Sequence, residues 1–441
     1  MSDWMRQVLE SKRAMRRRLQ ALPFSEKLIL LEKLRDRSLA IARSPLRQLT
    51  EIQKKFEGRY GGKARIYRAP GRVNLIGEHT DYNDGFVMPA AIDFYTWVAA
   101  APREDRKLVV YSENVAGGAE FDLDAPHPRP QHQWSDYVFG VAVVLEQAGH
   151  RLRGANLLVS GDVPIGAGLS SSAAIEVATG CALLGNSGVP IDRVELARLC
   201  QRAENEFVGM RCGIMDQFIS CCGRADEALI LDCRSLDYRL LPLPPDVSLV
   251  ISNTMVKHEL AGGEYNKRRA ECEAGVRRLA QALPHVRALR DVSPAELEQE
   301  GRDLPEVVYR RCRHVVSENA RVVEAAGALD RGDVAAFGRL MGESHRSLRD
   351  DYEVSCAELD LMVELASKVE GTFGARMTGG GFGGCTINLV RSDRVEDFQR
   401  AVAQGYERVT GRAPEIYVST AAAGAAEVTE AIADFRLTIA D

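Results

Sequence analysis

Five glycines fall within the six positions 379–384, with Phe382 the only interruption, and the run leads into Thr386-Ile387-Asn388-Leu389-Val390. So much glycine in so few positions describes a backbone that lies close to something, either another chain segment or a ligand phosphate, where a Cβ would not fit. From Gly379 the segment Met377-Thr378-Gly379-Gly380-Gly381-Phe382-Gly383-Gly384-Cys385 formally matches Gly-x-Gly-x-x-Gly. That spacing binds dinucleotides only where it follows a strand and opens a helix, because the helix N-terminus supplies the free N–H groups and the positive dipole end. Here the run opens a strand, so a dinucleotide fold is rejected.

A second glycine-rich segment, Pro164-Ile165-Gly166-Ala167-Gly168-Leu169-Ser170-Ser171-Ser172-Ala173-Ala174, has the other arrangement. It follows the short apolar strand expected over 156–160 and precedes a helix expected over 173–184. Glycines there admit an anion close to the backbone, and the serines stand at a helix start with its unpaired donors. This is the geometry for a polyphosphate; a plain Gly/Ser turn with a helix cap is the alternative. No Lys follows, so it is not a Gly-x-x-x-x-Gly-Lys-Ser/Thr loop. A nucleotide held here needs its charge met by Mg²⁺ and by a distant Arg or Lys.

The rest of the 441 residues read as an ordinary globular chain, 45% apolar and 27% charged, long enough for two lobes or more. With 57 basic and 62 acidic residues the net charge is −5, which favours neither nucleic acid nor an acidic membrane surface. No apolar run reaches the roughly 18 residues of a membrane span, and the basic N-terminus lacks the pattern of a secretory signal. Ten cysteines without Cys-x-x-Cys spacing read as reduced thiols. A cytoplasmic, monomeric enzyme is expected.

Mixed periodicities give an α+β class. Short strands are expected at 64–67, where Pro70-Gly71 reads as a stop, and at 107–111, 119–124 and 156–160. A helix is expected at 135–147 with Ser135 as N-cap, and another from the Asp192/Glu195 capping pattern to about Gly209. Longer helices follow near 262–283, 303–327, 331–349 and 355–369. Two further strands, 386–390 and 415–419, flank a helix near 394–409. The chain divides into an N-terminal helical extension (1–45, with Leu28, Leu31 and Leu34 at helical spacing), an N-terminal lobe (46–240), a C-terminal lobe (241–425) and a tail (426–441). The break falls at Leu241-Pro242-Leu243-Pro244-Pro245.

Two more segments carry chemistry. In Ala69-Pro70-Gly71-Arg72-Val73-Asn74-Leu75-Ile76-Gly77-Glu78-His79-Thr80-Asp81-Tyr82-Asn83-Asp84-Gly85, the grouping of Glu78, His79 and Asp81 suits a polyhydroxylated ligand whose hydroxyls each want a partner. A transition-metal site is the rival, but no second His or Cys lies near. In Cys212-Gly213-Ile214-Met215-Asp216-Gln217-Phe218, Asp216 is a lone acid in an apolar stretch, where an ionised carboxylate must be paired or used. Glu204 shares a helix face with Cys200 and Phe207, which fits a Mg²⁺ ligand or a rim salt bridge.

Together these segments resemble the galactokinase family. Arg72 to Gly85, continuing through Phe86-Val87-Met88-Pro89, is similar to the galactokinase signature, with Met88 where Leu is usual. The two glycine-rich segments resemble the second and third motifs of the galactokinase, homoserine kinase, mevalonate kinase and phosphomevalonate kinase superfamily. The resemblance covers roughly residues 46–425 and includes the stretch from Asn253 to Arg269.

It implies a two-lobed α+β fold with the active site in the cleft between lobes, and transfer of the γ-phosphoryl group of ATP to the anomeric hydroxyl of galactose. By the same resemblance Asp216 is the base and Arg72 the transition-state stabiliser. Glu78, His79, Thr80, Asp81, Gly213 and Tyr265 form the sugar pocket. Gly166, Ala167, Gly168, Leu169, Ser170, Ser171 and Ser172 wrap the phosphates, Ser172 and Glu204 hold Mg²⁺, and Trp134 and Ser112 stand beside the nucleotide. An N-acetylgalactosamine kinase and a non-catalytic galactose/ATP sensor are the alternatives; Thr80 and the Asn83-Asp84-Gly85 turn fit the galactose pattern better than the first, and the complete Ser170-Ser171-Ser172-Ala173-Ala174 loop with Asp216 favours an enzyme over the second.

Overall fold

The structure is a computed structural model that describes residues 22–23, 26–27, 45–125, 129–256 and 261–428. The helix expected around Leu28, Leu31 and Leu34 and the tail beyond 428 lie outside the described residues. The expected α+β class is the one observed: two sheets, each with its own helices.

The larger sheet holds eight strands. They are β1 (Arg65–Ile76), β2 (Phe86–Pro102), β3 (Lys107–Ser112), β4 (Gly117–Asp122), β5 (Ala155–Gly161), β6 (Glu227–Asp232), β7 (Tyr238–Pro242) and, from the far end of the chain, β12 (Ala426–Val428). The order is β12-β1-β2-β5-β3-β4, with β6 against β2 and β7 against β6. The 17-residue β2 is buried over most of its length. Such a strand shows no alternation and gives no period-2 signal, which is why it escapes a sequence reading. Its neighbour β1 does not stop at Pro70-Gly71. The register against β2 shifts between Pro70 and Arg72, so the two breakers are absorbed as a bulge. Gly71 is needed there because a Cβ would lie 2.7 Å from the Leu169 carbonyl oxygen, to which the Arg72 N–H donates at 3.1 Å.

Four helices lie with this sheet: α2 (Asp136–Gln147), α3 (Ser171–Ser187), α4 (Arg193–Ala203) and α5 (Met215–Cys222), after α1 (Pro45–Tyr60). At the start of α2, Ser135 makes no side-chain cap; the Asp136 carboxylate instead accepts from Gln131 N and Gln133 N. Asp192 does cap α4, accepting from Val194 N and Glu195 N. That helix then widens into a π-helical turn, Glu204–Val208, before closing at Gly209 with φ +90°. Such single wide turns inside helices occur frequently at functional positions, and this one begins at Glu204.

The smaller sheet is antiparallel, in the order β11-β8-β10-β9, from β8 (Val247–Asn253), β9 (Thr372–Thr378), β10 (Cys385–Arg391) and β11 (Glu415–Ser419). Helices α6 (Ala261–Ala282), α7 (Pro294–Glu300), α8 (Glu306–Asp330), α9 (Val334–Asp350), α10 (Ala357–Ser367) and α11 (Val395–Thr410) complete this half. All but the short α7 match expected helices. One apolar cluster joins the halves, with Val73, Leu75 and Ile76 of β1 and Val322 and Ala325 of α8 in the same core. The glycine run at 379–384 is the β9–β10 connection, and its neighbours bring it back onto the first sheet.

Candidate active site

The segments singled out in the sequence meet in a cleft of about 310 Å³ between the two halves. Arg72, Glu78, His79, Asp81, Gly166, Gly168, Ser170 to Ser172, Glu204, Gly213, Asp216 and Tyr265 all line it, as do Gly379 to Phe382 from the β9–β10 loop. Among the expected loop residues, Ala167 and Leu169 turn into the core. Thr80 is buried outside the lining; its hydroxyl sits between the carbonyl oxygens of Gly77 (2.9 Å) and Phe86 (2.7 Å). Ser112 ends β3 and Trp134 packs partly buried against the larger sheet's core; neither lines this cleft.

At the floor, Arg72 and Asp216 form a bidentate pair. Arg72 Nε and Nη2 each donate to an Asp216 oxygen at 2.7 Å, and Arg72 Nη1 donates to the Gly168 carbonyl oxygen at 2.7 Å. Ser170, at the left-handed φ of +60° just before α3, spends its hydroxyl on Asp216 Oδ2 at 2.5 Å instead of on the helix. Burial works against the charge on Arg72, but the carboxylates of Asp216, Glu78 and Asp81 outweigh it and raise its pKa. Two planar groups locked by parallel charge-assisted bonds hold one another's orientation.

The opposite wall carries the first motif. Glu78 is buried and accepts from the Gly379 N–H through Oε1 (2.9 Å) and from Arg376 Nη2 through Oε2 (2.7 Å). Burial raises its pKa against the pull of Arg376 and Arg72, while every group bonded to its carboxylate, Asn74 Nδ2 at 3.1 Å included, is a donor. His79 adopts φ +62°, with Nδ1 2.8 Å from the Tyr82 hydroxyl, itself 2.7 Å from that of Tyr352. Burial first, then the nearby His314 and Arg268, hold the imidazole well below its usual pKa, so it is neutral. Burial and the charge of Asp216 push Asp81 up to about 7.

Behind the turn, Glu318 of α8 accepts from Gly77 N (2.9 Å) and from Ser344 Oγ (2.6 Å). Burial would raise Glu318, but Arg321, His314 and Arg376 hold it down at about 2. This buried acid thereby ties the sharp Gly77–His79 turn to the second half of the molecule.

The third corner is acidic. Glu204 Oε2 accepts from Gln217 Nε2 (2.6 Å) and the Cys212 thiol (3.3 Å), and the Ser172 hydroxyl lies beside the same carboxyl. Gln217 Nε2 also donates to Glu176 at 3.0 Å. Burial, with the neighbouring acids adding to it, raises both Glu204 and Glu176. Among the described residues no three His, Cys, Asp or Glu side chains are arranged to hold a metal. A carboxyl and a hydroxyl are hard oxygen donors, and a corner with this surplus of acid calls for a cation. The set fits Mg²⁺, which commonly takes few protein ligands and keeps water and phosphate oxygens.

Sequence reasoning missed Arg376, Glu176, Gln217, Tyr82 and Glu318. Arg376 and Glu176 did carry a signal, the same one that marked Asp216: a charged residue inside an apolar run, Phe373 to Thr378 for one and Ala173 to Ala178 for the other.

The chain matches the galactokinase galactose-binding signature over residues 54–102, the GHMP kinases N terminal domain over 136–224 and the GHMP kinases C terminal domain over 325–408. It is 50% identical over 381 residues to a galactokinase of Roseiflexus sp. (strain RS-1), covering 86% of this chain and 97% of that one. It is 52% identical over 379 residues to a galactokinase of Chloroflexus aggregans, with the same two coverages. The fold superposes on Lactococcus lactis galactokinase complexed with galactose at a TM-score of 0.83 and 40% identity, covering 86% of this chain and all of that one. A mevalonate kinase structure with 18% identity and a TM-score of 0.57 shares the fold, with 80% of this chain and 98% of that one covered.

Proposed function

The chain belongs to the galactokinase family of the GHMP kinases, and from that premise we propose that it transfers the γ-phosphoryl group of ATP to the anomeric hydroxyl of galactose, giving galactose 1-phosphate. The observation that carries this reading is the bidentate Arg72–Asp216 pair, set between the glycine-rich loop at the start of α3 and the wall built from Glu78, His79 and Asp81.

The sugar lies against that wall, where Glu78 and Asp81 accept from individual hydroxyls, while Gly213 leaves room and Tyr265 bounds the pocket. Asp216 accepts the hydrogen bond, and then the proton, of the anomeric hydroxyl; positioned base help of this kind is worth about 10²–10⁴-fold. Arg72 holds Asp216 in place and supplies positive charge beside the oxygen that attacks and the group that moves. The phosphates lie against Gly166 to Ser172, whose glycines and free helix-start N–H groups face an anion. Ser172 and Glu204 would hold Mg²⁺, which when bound neutralises phosphate charge. Because phosphoryl transfer is loose, alignment and charge neutralisation count as much as proton removal. Trp134 and Ser112 are assigned to the nucleotide's outer end, beyond the cleft.

We take the working unit to be a cytoplasmic monomer, with residues 46–240 as the sugar- and ATP-binding lobe and 241–425 as its partner lobe. The test is ADP release with ATP, MgCl₂ and either galactose, N-acetylgalactosamine or glucose. Galactose-dependent turnover with glucose a very poor substrate supports the reading. No galactose-dependent turnover, or equal kcat/KM for glucose and galactose, refutes it.

A further inference from the structure

A ring of contacts runs through the three glycine-containing segments, and one side chain outside all of the assigned roles closes it. Arg72 Nη1 donates to the Gly168 carbonyl. Gly379, at φ +85°, is pressed against Gly168 so that a Cβ there would stand 2.7 Å from the Gly168 oxygen. Gly384 meets the neighbouring Ala167 carbonyl in the same way, at 2.9 Å. The Gly379 N–H returns to Glu78 Oε1 at 2.9 Å, and Glu78 follows the same strand that carries Arg72.

Glu78 is kept facing Gly379 by Arg376, with Asn74 Nδ2 donating to the same Oε2 at 3.1 Å. This arginine is fully buried, and its guanidinium spans two groups, donating through Nη2 to Glu78 Oε2 (2.7 Å) and through Nη1 to the Asn74 carbonyl oxygen (2.8 Å). Thr378, two residues on, accepts from the Asn74 N–H at 2.9 Å. Strands β9 and β1 are therefore pinned together at the point where the sugar wall begins.

We propose that Arg376 is a positioning residue that couples the sugar pocket to the phosphate loop: by fixing Glu78 it fixes Gly379, and Gly379 bears on Gly168. The inference rests on the galactose and ATP reading above. A sugar hydroxyl that settles Glu78 also settles the Gly379 backbone and, through it, the loop that faces the phosphates. Each ligand then binds more tightly when the other is present, by the same factor in both directions. A planar, forked guanidinium makes both bonds at once; a lysine ammonium can satisfy Glu78 or the Asn74 carbonyl but does not reproduce the fork.

The test measures galactose Kd by calorimetry with and without saturating magnesium and a non-hydrolysable ATP analogue, in the wild type and in Arg376→Lys. In the wild type the analogue should tighten galactose at least about fivefold, the low end of ordinary coupling. Arg376→Lys should bring that factor close to one, raising the galactose KM at least about tenfold while kcat at saturation changes less, since Arg72 and Asp216 are untouched. Should Arg376→Lys fail to fold, Thr378→Val removes the acceptor of the Asn74 N–H that ties β9 to β1 and leaves Glu78 and Arg376 in place; it should still bind galactose and the analogue, with the coupling factor lowered towards one. Coupling retained in the folded variant, or absent from a wild type that binds both ligands, overturns the proposal. A wild type that binds no galactose at all overturns the functional reading on which it rests.

Discussion

Gly213 is seated against the carboxylate of Asp81 so closely that a Cβ on Gly213 would overlap Oδ2 and Cγ of the acid. The two residues come from distant segments, and the glycine is there because any side chain would displace the group facing the sugar. Gly213→Ala should therefore raise the galactose KM about 5- to 150-fold, since displacing one buried acceptor costs about 1–3 kcal/mol. The ATP KM should stay near wild type. Steady-state kinetics with each substrate varied in turn decides it; an unchanged galactose KM would remove Asp81 from the sugar pocket.

Asp216→Asn keeps the shape of the side chain and loses the charge that Arg72 faces at 2.7 Å from two directions. Galactose and nucleotide should still bind in calorimetry, with kcat reduced at least about 10²-fold. A variant that keeps more than a tenth of the wild-type kcat would exclude Asp216 as the base.

Glu204→Gln should weaken Mg²⁺ and nucleotide together, because the carboxyl beside Ser172 is the charged oxygen donor of that corner. The Mg²⁺ concentration for half-maximal nucleotide binding, followed by calorimetry at fixed nucleotide, should rise several-fold. Unchanged Mg²⁺ dependence would assign Glu204 to the surrounding hydrogen bonds with Gln217 and Cys212 only.

The pH dependence follows from Asp81, which burial and Asp216 lift from an ordinary 3.8 to about 7. An acid whose folded pKa is raised binds its proton more tightly folded than unfolded. Its stabilising contribution is complete below about 4 and is lost as pH climbs to about 7. Asp81→Asn should melt a few degrees above the wild type at pH 8, with the gap shrinking towards pH 5. Galactose affinity should show the opposite trend in the wild type, improving as pH rises through about 7 and the carboxylate forms. A melting difference that is constant across pH would argue against this charge.

Thr80 marks the difference between a motif residue and a ligand. Its hydroxyl lies between the Gly77 and Phe86 carbonyls, so Thr80→Val should cost roughly 1–3 kcal/mol of stability and leave the galactose-to-glucose ratio of kcat/KM unchanged. A changed ratio with an unchanged melting temperature would return Thr80 to the sugar.

Much of this arrangement was legible before any coordinates because its signals are local. The glycine run at 379–384 demanded close backbone contact, and the contacts it makes are with Ala167, Gly168 and Val354. The lone acid Asp216 had to be paired, and its partner is Arg72. Local reading went astray where tertiary contacts replaced the usual local solution. Pro70-Gly71 became a bulge because the phosphate loop lies against it. Ser135 left its capping position unused, while the Asp136 carboxylate turned back to the Gln131 and Gln133 N–H groups of the preceding loop.

Composition, periodicity and spacing by themselves determined the α+β class, the strand-then-helix setting of Gly166 to Ser172, and the residue types available for binding an anion and a polyol. These depend on neighbours a few positions apart, whose geometry the chain sets covalently. Only the tertiary structure decided that Glu78 would meet an arginine 298 positions away and that Gly77 would be held by an acid 241 positions on. Partners at such distances are chosen by sheet register and helix packing, and no short-range pattern encodes them. Arg376 therefore shows in the sequence only as a charge inside an apolar run, and its partners, Glu78 and the Asn74 carbonyl, appear only where β9 lies beside β1.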